Sequence, residues 1–119
     1  MGKFAQDYDP RKDYVALAEL DGRIVASIII NGLSDEIAQL RFFLVHPDAR
    51  GRGLGRELIN RALAFCRECG FKKVTLWTIT ELAVARHLYL QAGFVVTREE
   101  THEIWGAMRT EQEYELKLN

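Results

Sequence analysis

The stretch Leu40–Gly55, Leu-Arg-Phe-Phe-Leu-Val-His-Pro-Asp-Ala-Arg-Gly-Arg-Gly-Leu-Gly, constrains the fold more than any other part of the chain. Its apolar run reads as a strand and Pro47-Asp48 as a turn. The glycines read as a loop that opens an amphipathic helix near Gly53. The first N–H groups of a helix have no intrahelical acceptor, and the helix dipole adds partial positive charge there. A strand that feeds such a loop is therefore an anion site. Gly51, Gly53 and Gly55 permit close approach of a ligand to the main chain. Arg50, Arg52 and Arg56 add fixed cations suited to phosphate. The loop is expected to hold a pyrophosphate or a similar group.

Three phosphate loops compete for this pattern. A P-loop needs Lys-Ser or Lys-Thr after the glycines, and none follows. A dinucleotide loop needs a third glycine where Arg56 stands. The remaining type, Arg/Gln-x-x-Gly-x-Gly/Ala, is matched by Arg50, Gly53 and Gly55.

The rest of the chain supplies a scaffold for that loop. Tyr14 to Leu20 and Arg23 to Ile30 are β-rich runs joined by Asp21-Gly22, a strong hairpin signal. A third strand spans Ile37 to Val45. After the loop, Leu54, Leu58, Ile59, Ala62, Leu63, Cys66 and Cys69 fall on one helical face, and Gly70 ends the helix. Lys73 to Ile79 follows as a strand, which makes a β-α-β crossover with parallel strands. A second helix is expected from about Glu81 to Ala92, with Leu82, Ala85, Tyr89 and Ala92 inward. Phe94 to Thr97 and Glu113 to Leu118 read as closing antiparallel strands, and Trp105 as part of a polar loop between them. Met1 to Lys12 shows no long element. The fold class is α/β (α+β): one domain over residues 1–119, a mixed and mostly antiparallel sheet with a central β-α-β crossover.

The loop resembles that of the GNAT N-acetyltransferase superfamily. Ala85-Arg86-His87-Leu88-Tyr89-Leu90-Gln91-Ala92-Gly93-Phe94 is similar to that family's Ala-x-x-Leu-Tyr-x-x-x-Gly-Phe segment, in the expected order. The likeness runs from about Tyr14 to Leu118. Tyr8-Asp9-Pro10, Ala38-Gln39-Leu40-Arg41, Leu76-Trp77-Thr78 and Tyr114-Glu115-Leu116 also resemble the acetyltransferase half of proteins that join a MarR-type winged helix to such a domain. No helix-turn-helix segment stands in this sequence.

The resemblance implies acetyl-CoA as co-substrate and a primary amine, on a small molecule or a protein, as acceptor. It implies that the strand before the loop splays from its neighbour. Leu44 and Val45, otherwise ordinary core residues, would then offer backbone groups to pantetheine. Arg50, Gly51, Arg52, Gly53, Leu54 and Gly55 would take the pyrophosphate. Tyr89 would be the general acid for the leaving thiolate, a task that suits a phenol with an ordinary pKa near 10.

The sequence departs from the family at three places. Gln39 stands where many members have a basic glutamate, which leaves Glu36, Glu81 and His102 as candidate bases. Leu82 replaces a frequent asparagine. Few residues precede the first strand, where the family usually places helices that wall the acceptor site. These departures keep a second reading open: a non-catalytic acyl-CoA-binding sensor or regulatory module. They also favour a homodimer, in which a second copy walls the site and Trp105 anchors the contact.

Hydrophobic residues make up 48% and charged residues 28% of the sequence, and the net charge is −1. That balance supplies no global attraction to nucleic acid or to an anionic membrane. No apolar run approaches the roughly 20 residues that span a bilayer. A cytoplasmic location is the default expectation. Cys66 and Cys69 sit late in a helix, where the dipole opposes a thiolate, and no further ligands are spaced for zinc. They are expected as packing residues, with no metal.

Overall fold

The computed structural model describes residues 2–3, 13–49, 51, 53–79 and 82–118. Strands β1 (Gly2–Lys3), β2 (Tyr14–Leu20), β3 (Arg23–Gly32) and β4 (Ile37–Val45) precede helix α1 (Leu54–Glu68). Strand β5 (Lys73–Ile79), helix α2 (Ala83–Ala92) and strands β6 (Val95–Ile104) and β7 (Ala107–Lys117) follow. The described strands form one sheet in the order β1-β2-β3-β4-β5-β7-β6. Only β4 and β5 run parallel; the other pairings are antiparallel.

The Asp21-Gly22 turn has positive φ at both residues, 53° and 78°, which matches the twist of a tight hairpin. Helix α1 carries Leu58, Ile59, Ala62, Leu63 and Cys66 on its buried face. Burying a Leu or Ile side chain contributes about 1.5–3 kcal/mol, so this face holds α1 to β2, β3 and β4. Tyr14 stacks on Phe65 with centroids 5.0 Å apart. Cross-strand register places Tyr14, Ile28, Ile30, Leu40, Ala38, Val74, Leu76 and Tyr114 on the same sheet face as both helices. Gln39, Thr75, Trp77, Glu113 and Glu115 alternate onto the opposite face.

Four expectations are corrected. Strands β6 and β7 are far longer than Phe94–Thr97 and Glu113–Leu118, and they join at Trp105-Gly106. Trp105 thus sits in a two-residue turn rather than a polar loop, at a φ of 50° and 94% exposed. Leu82 is the N-cap of α2, half exposed, and not part of its inward face. Leu44 is 66% exposed and is no core residue, while Val45 is partly buried against the core.

Candidate active site

The parallel pair β4–β5 is held by three rungs only: Ile37 with Lys73, Ala38 with Val74 and Gln39 with Thr75. Strand β5 stays paired to β7 through Ile79, and β4 stays paired to β3 through Val45. Among the described residues, β4 beyond Gln39 and β5 beyond Thr75 therefore turn unpaired edges toward one another.

A bulge re-aims the splayed part of β4. Between the pairs Ile29–Arg41 and Ser27–Leu44, β3 has one residue and β4 has two. Phe42 takes up the difference at a φ of 52°, and the Ser27 hydroxyl donates to its carbonyl at 3.1 Å. Such left-handed backbone is uncommon for a bulky residue, and a bulge inverts side-chain alternation. Leu40 points at the helices before it; Phe43 and Val45 do so after it. Leu44 and Phe42 are left outward.

Helix α1 starts at the mouth of this cleft. Its N-cap is Gly53, at a φ of 75° and with no side-chain cap. The first intrahelical bond runs from the Glu57 N–H to the Gly53 carbonyl. The N–H groups of Leu54, Gly55 and Arg56 thus lie in the first turn, where no helical acceptor exists. Gly51, at a φ of 82°, also needs the glycine backbone.

Gly55 plays a different part. A Cβ there would lie 2.9 Å from Leu88 Cδ1, 3.2 Å from Phe43 Cζ and 3.4 Å from Val45 Cγ2. Its hydrogen lets α1, α2 and β4 meet. A Cβ on Gly51 or Gly53 would meet nothing within 4 Å. Arg50 and Arg52 lie outside the described residues, as do most of 1–12 and Glu81.

A groove of about 510 Å³ runs along this junction, between the end of β4 and the start of α2. Phe43, Leu44, Val45 and His46 line one side, Leu82 to Ala85 and Leu88 the other, and Ile24 to Ser27 of β3 the floor. The contributions of β3 and His46 were not legible in the sequence, because only the bulge register carries them there.

Tyr89 is the buried residue of α2 and is 4% exposed. Its ring packs on Phe43 at 5.7 Å and on Phe94 and Tyr114 at 5.9 Å each. Burial, then the neighbouring Tyr114, pushes its phenol well above the ordinary value, so it stays protonated at neutral pH. It lies beneath the groove wall formed by Leu88 and Phe43 and is not itself part of the lining. Tyr114 is fixed beside it: the Arg86 Nε donates to the Tyr114 hydroxyl at 3.0 Å, which donates to Gln112 Oε1 at 2.9 Å. Gln112 donates in turn to Glu99 at 2.8 Å.

Of the candidate bases, the two that are described, Glu36 and His102, do not line the groove. Glu36 precedes β4, at the opposite end of that strand, with its carboxylate 3.2 Å from Lys72. His102 lies on the β6–β7 arm and pairs with Glu111. Cys66 is fully buried, and burial pushes its thiol up to about 12, as expected for a packing residue. Among the described residues no group of three or more His, Cys, Asp or Glu is placed to hold a metal, and no helix is long and apolar enough to cross a membrane.

The parallel pair that parts after three rungs, the bulge in β4 and the glycine-capped start of α1 meet at one junction of the fold. Residues 3–94 match the acetyltransferase (GNAT) family, and the chain belongs to it. It is 35% identical over 91 residues to a mycothiol acetyltransferase of Cellulomonas flavigena, covering 68% of this chain and 26% of that protein. It is 32% identical over 104 residues to an uncharacterized N-acetyltransferase of Methanocaldococcus jannaschii, covering 82% and 44%. The chain thus spans less than half the length of these relatives. Among solved structures, yncA of Salmonella typhimurium with its cofactor acetyl-CoA shares the fold at a TM-score of 0.81 and 22% identity, covering 92% of this chain and 66% of that one.

Proposed function

We propose that the chain transfers an acetyl group from acetyl-CoA to a primary amine by direct attack. The observation that supports this most is the three-rung pairing of β4 and β5. It leaves backbone donors and acceptors around Leu44 and Val45 for an extended amide chain to pair with, as an added strand. Pantetheine is such a chain. The amides at Gly53–Gly55, with Gly51 and the arginines Arg50 and Arg52, suit the pyrophosphate. Acetyl-CoA supplies the thioester. Tyr89, protonated under its aromatic cover, donates to the sulfur as the carbon–sulfur bond breaks, and the amine nitrogen gains the acetyl group and loses a proton.

The test is turnover of acetyl-CoA across a panel of amines, with calorimetric binding alongside. Gly53→Val places a branched side chain in the left-handed loop and is expected to cut acetyl-CoA affinity at least tenfold. Unchanged affinity in a folded variant would refute the site. Gln39, on the sheet face opposite the helices and in place of a carboxylate, favours the second reading, an acyl-CoA-binding sensor. Tight binding without turnover of any amine would establish it. The long β6–β7 arm also supports association of two copies through the exposed Trp105 tip.

A further inference from the structure

Acetyl transfer needs a neutral amine, and the usual position for a base holds Gln39. We propose that Glu113, acting through the hydroxyl of Thr75, takes the proton from the acceptor amine. This rests on the acetyltransferase reading and names the residue that reading lacks.

Register carries the placement. Gln39 and Thr75 form the last rung before β4 and β5 part. Both alternate onto the sheet face opposite α1 and α2, and so does Trp77, the next such position on β5. Trp77 lies directly opposite Glu113 of β7. Glu113 therefore stands level with the start of the split, on the face away from Tyr89. Tyr89, packed on Tyr114, and Glu113 therefore occupy opposite faces of the sheet.

The contacts fix the direction of the carboxylate. Thr75 Oγ1 donates to Glu113 Oε2 at 3.2 Å. Thr97 Oγ1 donates to the other oxygen at 3.2 Å and contacts the Glu113 carbonyl at 3.3 Å. Oε2 thus faces β5 and the split, while Oε1 is tied to β6. Thr75 is 8% exposed, so its hydroxyl is held rather than free to rotate into water. The proton path balances. The ammonium form of the acceptor passes one N–H proton to Thr75 Oγ1 as Thr75 passes its own to Glu113 Oε2, which leaves the amine neutral for attack. One N–H and one O–H bond break, two O–H bonds form, and the carboxyl later returns the proton to water.

The neighbouring charges are otherwise engaged. Arg98 of β6 is bound to Glu100 at 2.6 Å and lies over Trp77 at 5.4 Å. Lys73 of β5 is held by Glu115 at 3.5 Å, and Glu111 is paired with His102. Arg41 of β4 lies over the Phe42 ring at 4.9 Å. Among the described residues no cation is within ion-pair distance of Glu113.

The experiment compares kcat/KM for a primary amine with that for hydroxylamine, which is already neutral at pH 7 and needs no deprotonation before attack. Glu113→Gln should lower the amine-to-hydroxylamine ratio about 10²-fold or more, the range of general base catalysis. Thr75→Val should lower the same ratio and Thr75→Ser restore it. Melting temperature and acetyl-CoA affinity report whether the variants fold. A Glu113→Gln protein with the wild-type ratio overturns the role of Glu113 and leaves the transferase reading standing. Wild-type protein that binds acetyl-CoA but acetylates neither nucleophile overturns both.

Discussion

Replacing Gly55 by alanine separates packing from ligand approach in the glycine loop. Alanine in a helix is favoured over glycine by about 1 kcal/mol in the interior, and by less in the first turn. Against that, the new Cβ stands 2.9 Å from Leu88 Cδ1 and 3.2 Å from Phe43 Cζ, well inside the roughly 3.5–4.0 Å of an ordinary carbon contact. Overpacking of this kind costs about 1–3 kcal/mol. The Leu88 methyl is the end of a flexible side chain and the Phe43 ring edge is stiffer, so a net loss of about 1 kcal/mol is expected. For a domain near this size that lowers Tm by roughly 5 °C. Leu88 and Phe43 also line the groove, so the displaced atoms narrow it and acetyl-CoA affinity should fall with stability. Leu88→Ala removes the closest contact. In that background Gly55→Ala should become neutral or stabilising, a coupling of about 1–2 kcal/mol in a double-mutant cycle. Thermal melts by circular dichroism and calorimetric titration measure both effects. Additive melts, or a Gly55→Ala protein more stable than wild type with full affinity, would refute the packing argument.

Tyr89→Phe should lower kcat roughly 10²-fold while acetyl-CoA affinity barely changes; full turnover at neutral pH would reduce Tyr89 to a packing residue. The raised thiol of Cys66 predicts alkaline instability. The unfolded thiol ionises near its ordinary 9.0, while the folded one stays protonated to about 12, so above pH 9 the folded state binds more protons and stability falls as pH rises. Cys66→Ala should flatten that decline in melts between pH 9 and 11, and an unchanged slope would count against it. Two copies are expected to associate through the arm that ends in Trp105, 94% exposed, and Met108, 67% exposed. Light scattering that gives 13.7 kDa at all micromolar concentrations would sink the dimer.

What local chemistry controls was legible in the residues. The Asp21-Gly22 turn, the buried stripe of α1, the Gly53 loop and the bounds of β5 follow from turn chemistry and 3.6-residue or two-residue periods, which act over a few residues. The arm was not. Arg98 to Arg109 is charged and polar, with little β-propensity, and reads as loop; it is a strand pair because β6 finds β7 in register. The exposure of Leu44 and the groove's β3 floor both depend on the Phe42 bulge, which exists only as a mismatch between two strands. The crowding at Gly55 needs three elements at one point. The Thr75–Glu113 contact joins residues 38 apart in sequence. Register and the meeting of separate elements are settled by packing of the whole chain, and no window of sequence contains them.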